Sequence, residues 1–468
     1  MVFSSLTFLF YFLPAFLLLY FLIPKKMKNA VIFLGSLVFY FYGVKEQPAY
    51  VLLMLLSVGV NYAAARKMGG QTERKGRKRW LFAGLTYNLG CLFIFKYLDF
   101  ISENINALLG WAGVEGRLPY AELVLPIGIS FYTFQITSYL IDVYWERVPE
   151  ESSLLTLGTY LCMFPQLIAG PIVTYSQVRE QLKSRRQSLS NLEEGLREFT
   201  IGLGLKVLIA NQVGNLWNQI RSIGFESIST PFAWLGLMAY SFQIYFDFYG
   251  YSLMAKGLGL IMGFQFPDNF RNPYLSTSMT DFWRRWHITL GSWFREYVYI
   301  PLGGNRRHLF RNLLLVWMLT GLWHGASWNY ILWGLFICLL ICLEKLGWRR
   351  VLERFPLLGH LYMFLVIPLS WLLFAVTNLG QLGVYIERLF PFFRGEEAAV
   401  FTGDFFKYGR MYLFSLLAAF VCCTGLPRKI YEKKKDSLVM ALGLVAIFWA
   451  CVYCMYIGLD DPFLYYQF

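Results

Sequence analysis

Charge is what this sequence lacks most. Of its 468 residues, 15% are Asp, Glu, Lys or Arg and 57% are hydrophobic, against ~25% and ~45–50% in ordinary soluble domains. That balance excludes a soluble globular enzyme, a disordered chain and a coiled coil. Histidine is scarcer still, with four residues in all: His287, His308, His324 and His360. The eight cysteines (Cys91, Cys162, Cys338, Cys342, Cys422, Cys423, Cys451 and Cys454) fall inside or beside apolar blocks. Cys451 and Cys454 form a CxxC, but no second ligand pair accompanies it. The cysteines read as buried small hydrophobes, with no disulfide framework and no metal site. There is no internal repeat and no soluble domain.

What the chain has is apolar and aromatic, with 43 Phe, 31 Tyr and 15 Trp, rings that gather at membrane interfaces. A helix needs ~20 mostly apolar residues to cross a bilayer, and roughly ten such blocks are present. They lie at about 4–23, 30–43, 48–65, 80–97, 121–142, 199–219, 233–262, 361–378, 411–425 and 438–457. Two shorter pieces, 311–323 and 328–345, flank a histidine and read as a pair of spans or a re-entrant hairpin. The piece 154–173 contains Pro165, Gly170 and Pro171. It is expected to be broken or re-entrant, which a membrane tolerates only where protein or a water-filled cavity surrounds it. The opening MVFSSLTFLFYFLPAFLLLYFLIPKK has no positive n-region and no small-residue cleavage site, so it reads as a retained first span. The expected fold is an all-α polytopic membrane protein, with residues 1–468 forming one integral membrane domain.

The formal net charge is +13. Its basic residues cluster: Lys25, Lys26 and Lys28; Arg66, Lys67, Arg74, Lys75, Arg77, Lys78 and Arg79; Arg349, Arg350 and Arg354; Arg428, Lys429, Lys433, Lys434 and Lys435. Placing all four clusters on the cytoplasmic side puts both termini and the loops 98–120 and 379–410 outside, and the loop 263–311 inside. No basic stripe lies on a soluble domain, so the positive charge is assigned to lipid headgroups and not to nucleic acid. The stretch 175–198, with Lys183, Arg185 and Arg186 beside Glu193, Glu194 and Glu198, reads as one amphipathic surface helix.

Few residues are suited to chemistry. His324 lies in LTGLWHGASWNYILWGLF, an ionisable group amid apolar residues, beside Gly321, Gly325, Ala326 and Ser327. Ionisable groups at membrane depth are costly and mark function when they face the bundle interior, although a histidine can also simply hydrogen-bond a neighbouring helix. His287 lies in TDFWRRWHITLGSWFREYVYIPLGGNRR, where Trp283, Trp286, Trp293 and Phe294 alternate with Arg284, Arg285 and Arg295. That is the pattern of an interfacial helix. Its guanidinium groups match phosphate geometry, whether of a cofactor or of lipid. His308 sits in a basic loop and His360 follows a turn, and neither carries a signal. Asp247 and Lys256 are nine residues apart, about 13–14 Å along a helix, so they are no local pair, and Asp247 is read as a structural hydrogen-bond acceptor. FPQLIAGPI reads as a Pro-broken polar turn lining a cavity. The chain closes on DPFLYYQF, an FxYxxF pattern of Phe463, Tyr465 and Phe468, read as an aromatic belt or as a tail tucked into the protein.

Taken together, the opening MVFSS, LPIGISFYTFQ, SYLIDVY, FPQLIAGPI, YFDFYGYSLMAKGLG, NFRNPYLSTSMTDFWRRWHITLGSWFREYVYIPLGG, LWHGASWNYILWG and the closing FLYYQF resemble the membrane-bound O-acyltransferase family, in the bacterial branch that O-acetylates alginate. The resemblance covers nearly the whole chain. It implies a bundle of about 10–12 transmembrane helices with re-entrant and interfacial helices around a central tunnel. It also implies acyl transfer from a cytoplasmic thioester to an extracytoplasmic hydroxyl, here O-acetylation of a polysaccharide.

The family's membrane-embedded histidine corresponds to His324, and its histidine at the tunnel mouth to His287. In the related D-alanylating branch a small partner protein ends in the same FxYxxF pattern, whose tyrosine is held to carry the acyl group. The corresponding residue here is Tyr465. The expected donor is acetyl-CoA or another acyl thioester, held in passing by Arg284, Arg285 and Arg295, with no permanently bound cofactor. The expected partners are the bilayer, an SGNH-type acetyltransferase and the polysaccharide, and the expected location is the cell's inner membrane. Alternatives are D-alanyl or other acyl transfer to teichoic acid or a lipid hydroxyl, and, in a different class, a transporter with a midplane site.

Overall fold

The computed structural model describes residues 1–114, 116–393 and 401–458. Phe463, Tyr465 and Phe468 lie outside the described residues. Among the described residues the regular elements are helices, with no strands. Four of these helices are long and apolar enough to cross a membrane: Ala49–Gly69, Trp328–Arg354, Pro356–Ala375 and Leu438–Tyr456. The bent pairs Arg74–Lys96 with Leu98–Trp111, and Asp404–Met411 with Leu413–Cys423, raise this to six when each pair is one span. Of the other apolar blocks, 233–262 lies in one 33-residue helix, Thr230–Met262, while those at 4–23, 30–43 and 199–219 form shorter or interrupted helices. The chain is an all-α, multi-pass membrane protein.

Contacts divide the chain into two compact units, Met1–Leu196 with Ala255–Pro267, and Arg197–Met254 with Asp268–Phe468. In the first, the helix Ile129–Tyr144 is buried on nearly every side, packed by Ala49–Gly69, Arg74–Lys96 and Leu154–Cys162. It starts later than the expected 121–142, because Pro126 precedes it and Gly128 takes φ +76° at its N-cap. Asn61 and Asn88 exchange amide hydrogen bonds of 2.9 and 2.7 Å between two of its neighbours. The 154–173 block is broken as expected: Leu154–Cys162 ends, and Phe164–Leu167 forms one short turn. The freed backbone finds partners, as the Phe164 N–H donates to Ser36 Oγ (3.1 Å) and Gln166 Nε2 donates to the Tyr160 carbonyl (2.5 Å). The expected single helix over 175–198 is instead two, Tyr175–Lys183 and one beginning at Leu189, with an extended Ser184 between them.

In the second unit the helices Leu309–His324 and Trp328–Leu343 form a tight hairpin. Its glycines set the approach: a Cβ on Gly334 would strike the Trp317 carbonyl, and one on Gly321 the Tyr330 carbonyl. The start of the 33-residue helix Thr230–Met262 also belongs to this unit. There Asp247 pairs with Lys206 at 2.7 Å, both side chains 2% exposed, and Lys206 Nζ also donates to Asn211 Oδ1 (2.8 Å). Asp247 is thus an acceptor, as the sequence suggested, but its cation comes from another helix.

Candidate active site

The second unit builds a site from two helix ends. His324 is the last residue of Leu309–His324, where the backbone turns extended at Gly325. It is 6% exposed. Its ring lies 4.9 Å from that of Trp323, 5.1 Å from Trp333 and 5.0 Å from Phe374, each edge-to-face. An aromatic wall of this kind lowers the local dielectric and strengthens any electrostatic contact made there.

The segment expected as one interfacial helix is two short ones, Met279–Arg285 and Ile288–Phe294, and His287 sits at their junction with φ +44°. His287 is not a surface anchor, being 2% exposed. Its Nδ1 lies 3.0 Å from Asn269 Oδ1, which also accepts from Thr289 N–H (3.3 Å) and Thr289 Oγ1 (2.9 Å). Asn269 Nδ2 donates to Ser252 Oγ (3.2 Å), which fixes the amide orientation. An oxygen that only accepts requires Nδ1 to carry the proton, so Nε2 presents its lone pair. Nε2 is buried without a hydrogen-bond partner. His287 lies outside every candidate span, and burial pushes its imidazole down to about 3, so it is neutral at ordinary pH. Its ring is 6.0 Å from that of Trp323, so one indole touches both histidines.

A cavity of about 660 Å³ opens beside His287. Arg284, Arg295 and Lys345 make it basic, Tyr299 and Asn305 (2.5 Å apart, hydroxyl to amide oxygen) add polar groups, and Trp283 and Trp317 form its apolar wall. That volume suits a small-molecule arm with a few polar anchors. The cavity reaches Thr320, one helical turn before His324, but His324 itself does not line it. Trp333 fills the gap, its ring 5.5 Å from Trp283 and 5.1 Å from His324.

The sequence-predicted residues divide accordingly. His287, Arg284 and Arg295 meet at the cavity. Arg285 turns away, its Nε donating to Asp281 one helical turn earlier (3.0 Å), and it is not among the lining residues. Sequence reasoning missed Lys345, Asn269 and Glu344. Glu344 is 2% exposed and caps Met279–Arg285 from a distant helix: it accepts from Met279 N–H (2.5 Å), Thr280 N–H (2.9 Å) and Thr280 Oγ1 (2.6 Å). The segment TSMTDF shows its local cap, Ser278, whose Oγ accepts from Asp281 N–H (3.1 Å), but nothing local signals Glu344, which lies 65 residues on.

Comparison with known proteins adds to this geometry. The membrane-bound O-acyltransferase family matches residues 133–386. A probable alginate O-acetylase of Pseudomonas putida is 40% identical over 400 residues, 84% of this chain and 81% of the relative. A peptidoglycan O-acetyltransferase of Helicobacter pylori is 37% identical over 424 residues, 81% of this chain and 78% of the relative. A teichoic acid D-alanyltransferase of Bacillus subtilis is 27% identical over 284 residues, 58% of this chain and 69% of the relative.

Proposed function

The chain belongs to the membrane-bound O-acyltransferase family, and from that premise we propose that this acyltransferase moves an acetyl group from a cytoplasmic thioester to a hydroxyl of an extracytoplasmic polysaccharide. The observation that carries the reading is the basic cavity that reaches His287 and stops one helical turn from His324. The donor is acetyl-CoA, a substrate and not a resident cofactor. Its phosphates meet Arg284, Arg295 and Lys345, and its thioester arm extends along Trp283 and Trp317. The neutral His287 accepts a hydrogen bond at Nε2 and orients the arm. To reach His324 the arm passes Trp333, which shifts.

His324 acts as general base, the role an imidazole fills by taking up and releasing a proton. It takes the proton from the attacking hydroxyl, whose oxygen bonds to the thioester carbonyl carbon. The carbon–sulfur bond then breaks, and the thiolate leaves with the proton that His324 gives back. Where the attacking hydroxyl is that of Tyr465, the product is an acetyl phenyl ester. A thiol of pKa ~8.5 and a phenol of pKa ~10 make this exchange nearly balanced. An SGNH-type partner then passes the acetyl group to a sugar hydroxyl, forming a lower-energy alkyl ester. The relay spares CoA, which is highly charged, a passage through ~30 Å of hydrocarbon. The site of action is the inner membrane.

His324→Ala tests the reading: polymer acetylation is lost while the protein remains in the membrane. Persistence near the wild-type level rejects His324 as the base. For the relay, mass spectrometry of the C-terminal peptide after incubation with labelled acetyl-CoA is expected to find the label on Tyr465, and Tyr465→Phe to abolish transfer. Transfer unchanged in that variant reduces the tail to an anchor.

A further inference from the structure

The first unit brings together two cations, Lys28 and Arg185, whose hydrogen-bond partners are neutral groups. Lys28 opens the helix Lys28–Gly43 and is 7% exposed, its ammonium donating to Gln187 Oε1. Arg185 donates from Nε to the Tyr20 hydroxyl (2.9 Å) and from Nη1 to Asn29 Oδ1 (2.7 Å) and the Gln181 carbonyl (3.2 Å). All these partners are neutral. Arg185 Nη2 is a buried donor without a partner. Both cations crowd the Tyr20 ring, Lys28 Nζ at 4.7 Å and Arg185 Cζ at 5.8 Å from its centroid. The charged groups that act on the Lys28 ammonium are Arg185 and Lys25, again cations. Exposed Lys25, Lys26 and Arg186 extend the cluster.

Two like charges held close, Lys28 buried and Arg185 half-buried, repel one another and lose solvation. An anion is the group that relieves both costs. The surface beside the cluster says which kind. The helix Leu13–Leu22 ends where Pro24 follows an extended Ile23. Just before that end, Leu18 and Leu22, one helical turn apart, are 65% and 75% exposed, and Phe21 and Met27 are exposed with them. An outward apolar strip that runs up to a basic cluster matches acyl chains below a phosphate headgroup. Basic clusters at the ends of apolar helices mark the cytoplasmic side.

We propose that Lys25, Lys28 and Arg185 form a binding site for one anionic diacyl phospholipid of the cytoplasmic leaflet, its phosphate held by the three cations and its chains lying along Leu18 and Leu22. The site shares no residue with the histidine cavity and does not depend on the reaction assigned there.

Native mass spectrometry and thermal unfolding of the full-length protein in detergent test this, with phosphatidylglycerol, phosphatidylethanolamine and inorganic phosphate as probes. The wild type is expected to retain one phosphatidylglycerol and to unfold several degrees higher with that lipid than with phosphatidylethanolamine. Arg185→Gln and Lys28→Gln are each expected to weaken phosphatidylglycerol binding at least tenfold. The exposed Lys25→Gln, which leaves the packing untouched, is expected to weaken it several-fold. Arg74→Gln with Lys75→Gln, in another basic cluster, is expected to leave retention of that lipid unchanged. The proposal is overturned if the wild type retains no phosphatidylglycerol, if both lipids stabilise equally, or if the Arg74/Lys75 control loses as much lipid as Lys25→Gln. Full stabilisation by inorganic phosphate alone assigns the cations to a soluble anion and overturns the lipid assignment.

Discussion

Glu344→Gln keeps the side chain's shape and removes its charge. In the native structure Glu344 Oε1 accepts from Met279 N–H, while Oε2 accepts from both Thr280 N–H and Thr280 Oγ1. The glutamine does best by keeping its oxygen on Thr280, which turns its NH2 toward the Met279 N–H, donor against donor. One charge-assisted bond is lost, at about 1.5–3 kcal/mol, and the other two fall to neutral strength, at about 1 kcal/mol each. The anchor of Met279–Arg285 therefore weakens by roughly 3.5–5 kcal/mol before relaxation. This helix carries Thr280, Trp283 and Arg284 into the cavity wall and leads directly into His287, whereas His324 stands on another helix.

The consequence is a split in the kinetics. KM for the acetyl donor should rise more than kcat falls, with kcat/KM down at least tenfold, which is about 1.4 kcal/mol of lost transition-state stabilisation. The measurement is acetyl transfer in proteoliposomes at varied acetyl-CoA, with thermal unfolding alongside. An unchanged KM with a lowered unfolding midpoint would refute the link between this cap and the donor cavity. A fall in kcat alone would place the effect on the histidines and refute it as well.

Further consequences follow from the buried polar groups. Lys206→Met removes the ammonium 2.7 Å from an Asp247 carboxylate that is 2% exposed and should destabilise the protein by about 3–5 kcal/mol. The double variant with Asp247→Leu should recover most of that in thermal or denaturant unfolding, and no recovery would refute the pair as the cause. His287 has a folded-state value of about 3 against an ordinary 6.5. Between those two pH values the unfolded chain therefore binds a proton that the native state excludes, and stability falls as the pH drops through that window. The unfolding midpoint of His287→Asn should fall less steeply there than that of the wild type, and parallel curves would contradict the burial argument. Asn269→Ala frees the Nδ1 proton of His287 and should lower the rate of acetyl transfer roughly 10–100-fold, by analogy with the loss of other groups that orient a histidine.

The transporter reading falls with family membership, since the chain belongs to a family of acyltransferases. Within that family the name of the Bacillus subtilis relative points to D-alanyl transfer, but over a smaller share of the chain and at lower identity than the two O-acetyltransferase relatives. Acetyl is for that reason the group placed in the cavity.

Composition and local residue choice set the solvent and the interruptions. Scarce charge and long apolar blocks require a bilayer. Pro165 in FPQLIAGPI stands where the 154–173 helix breaks, and the small residues around His324 sit at a helix end and a close helix crossing. These are local effects, in which a residue's own backbone restriction or size acts within one or two turns. Which residues face one another came from packing between distant segments. The Asp281–Arg285 pair has the i,i+4 spacing that a sequence can show, but nothing in the sequence says that Arg284 and Arg295 share one cavity with Lys345. The partners Lys206 with Asp247 and Glu344 with Thr280 come from separate helices. The two histidines meet one indole from opposite segments. Helical periodicity tells which residues share a face, but it carries no record of the face that packs against it. That choice is made by the sum of many contacts, each too small to leave a mark at any single position.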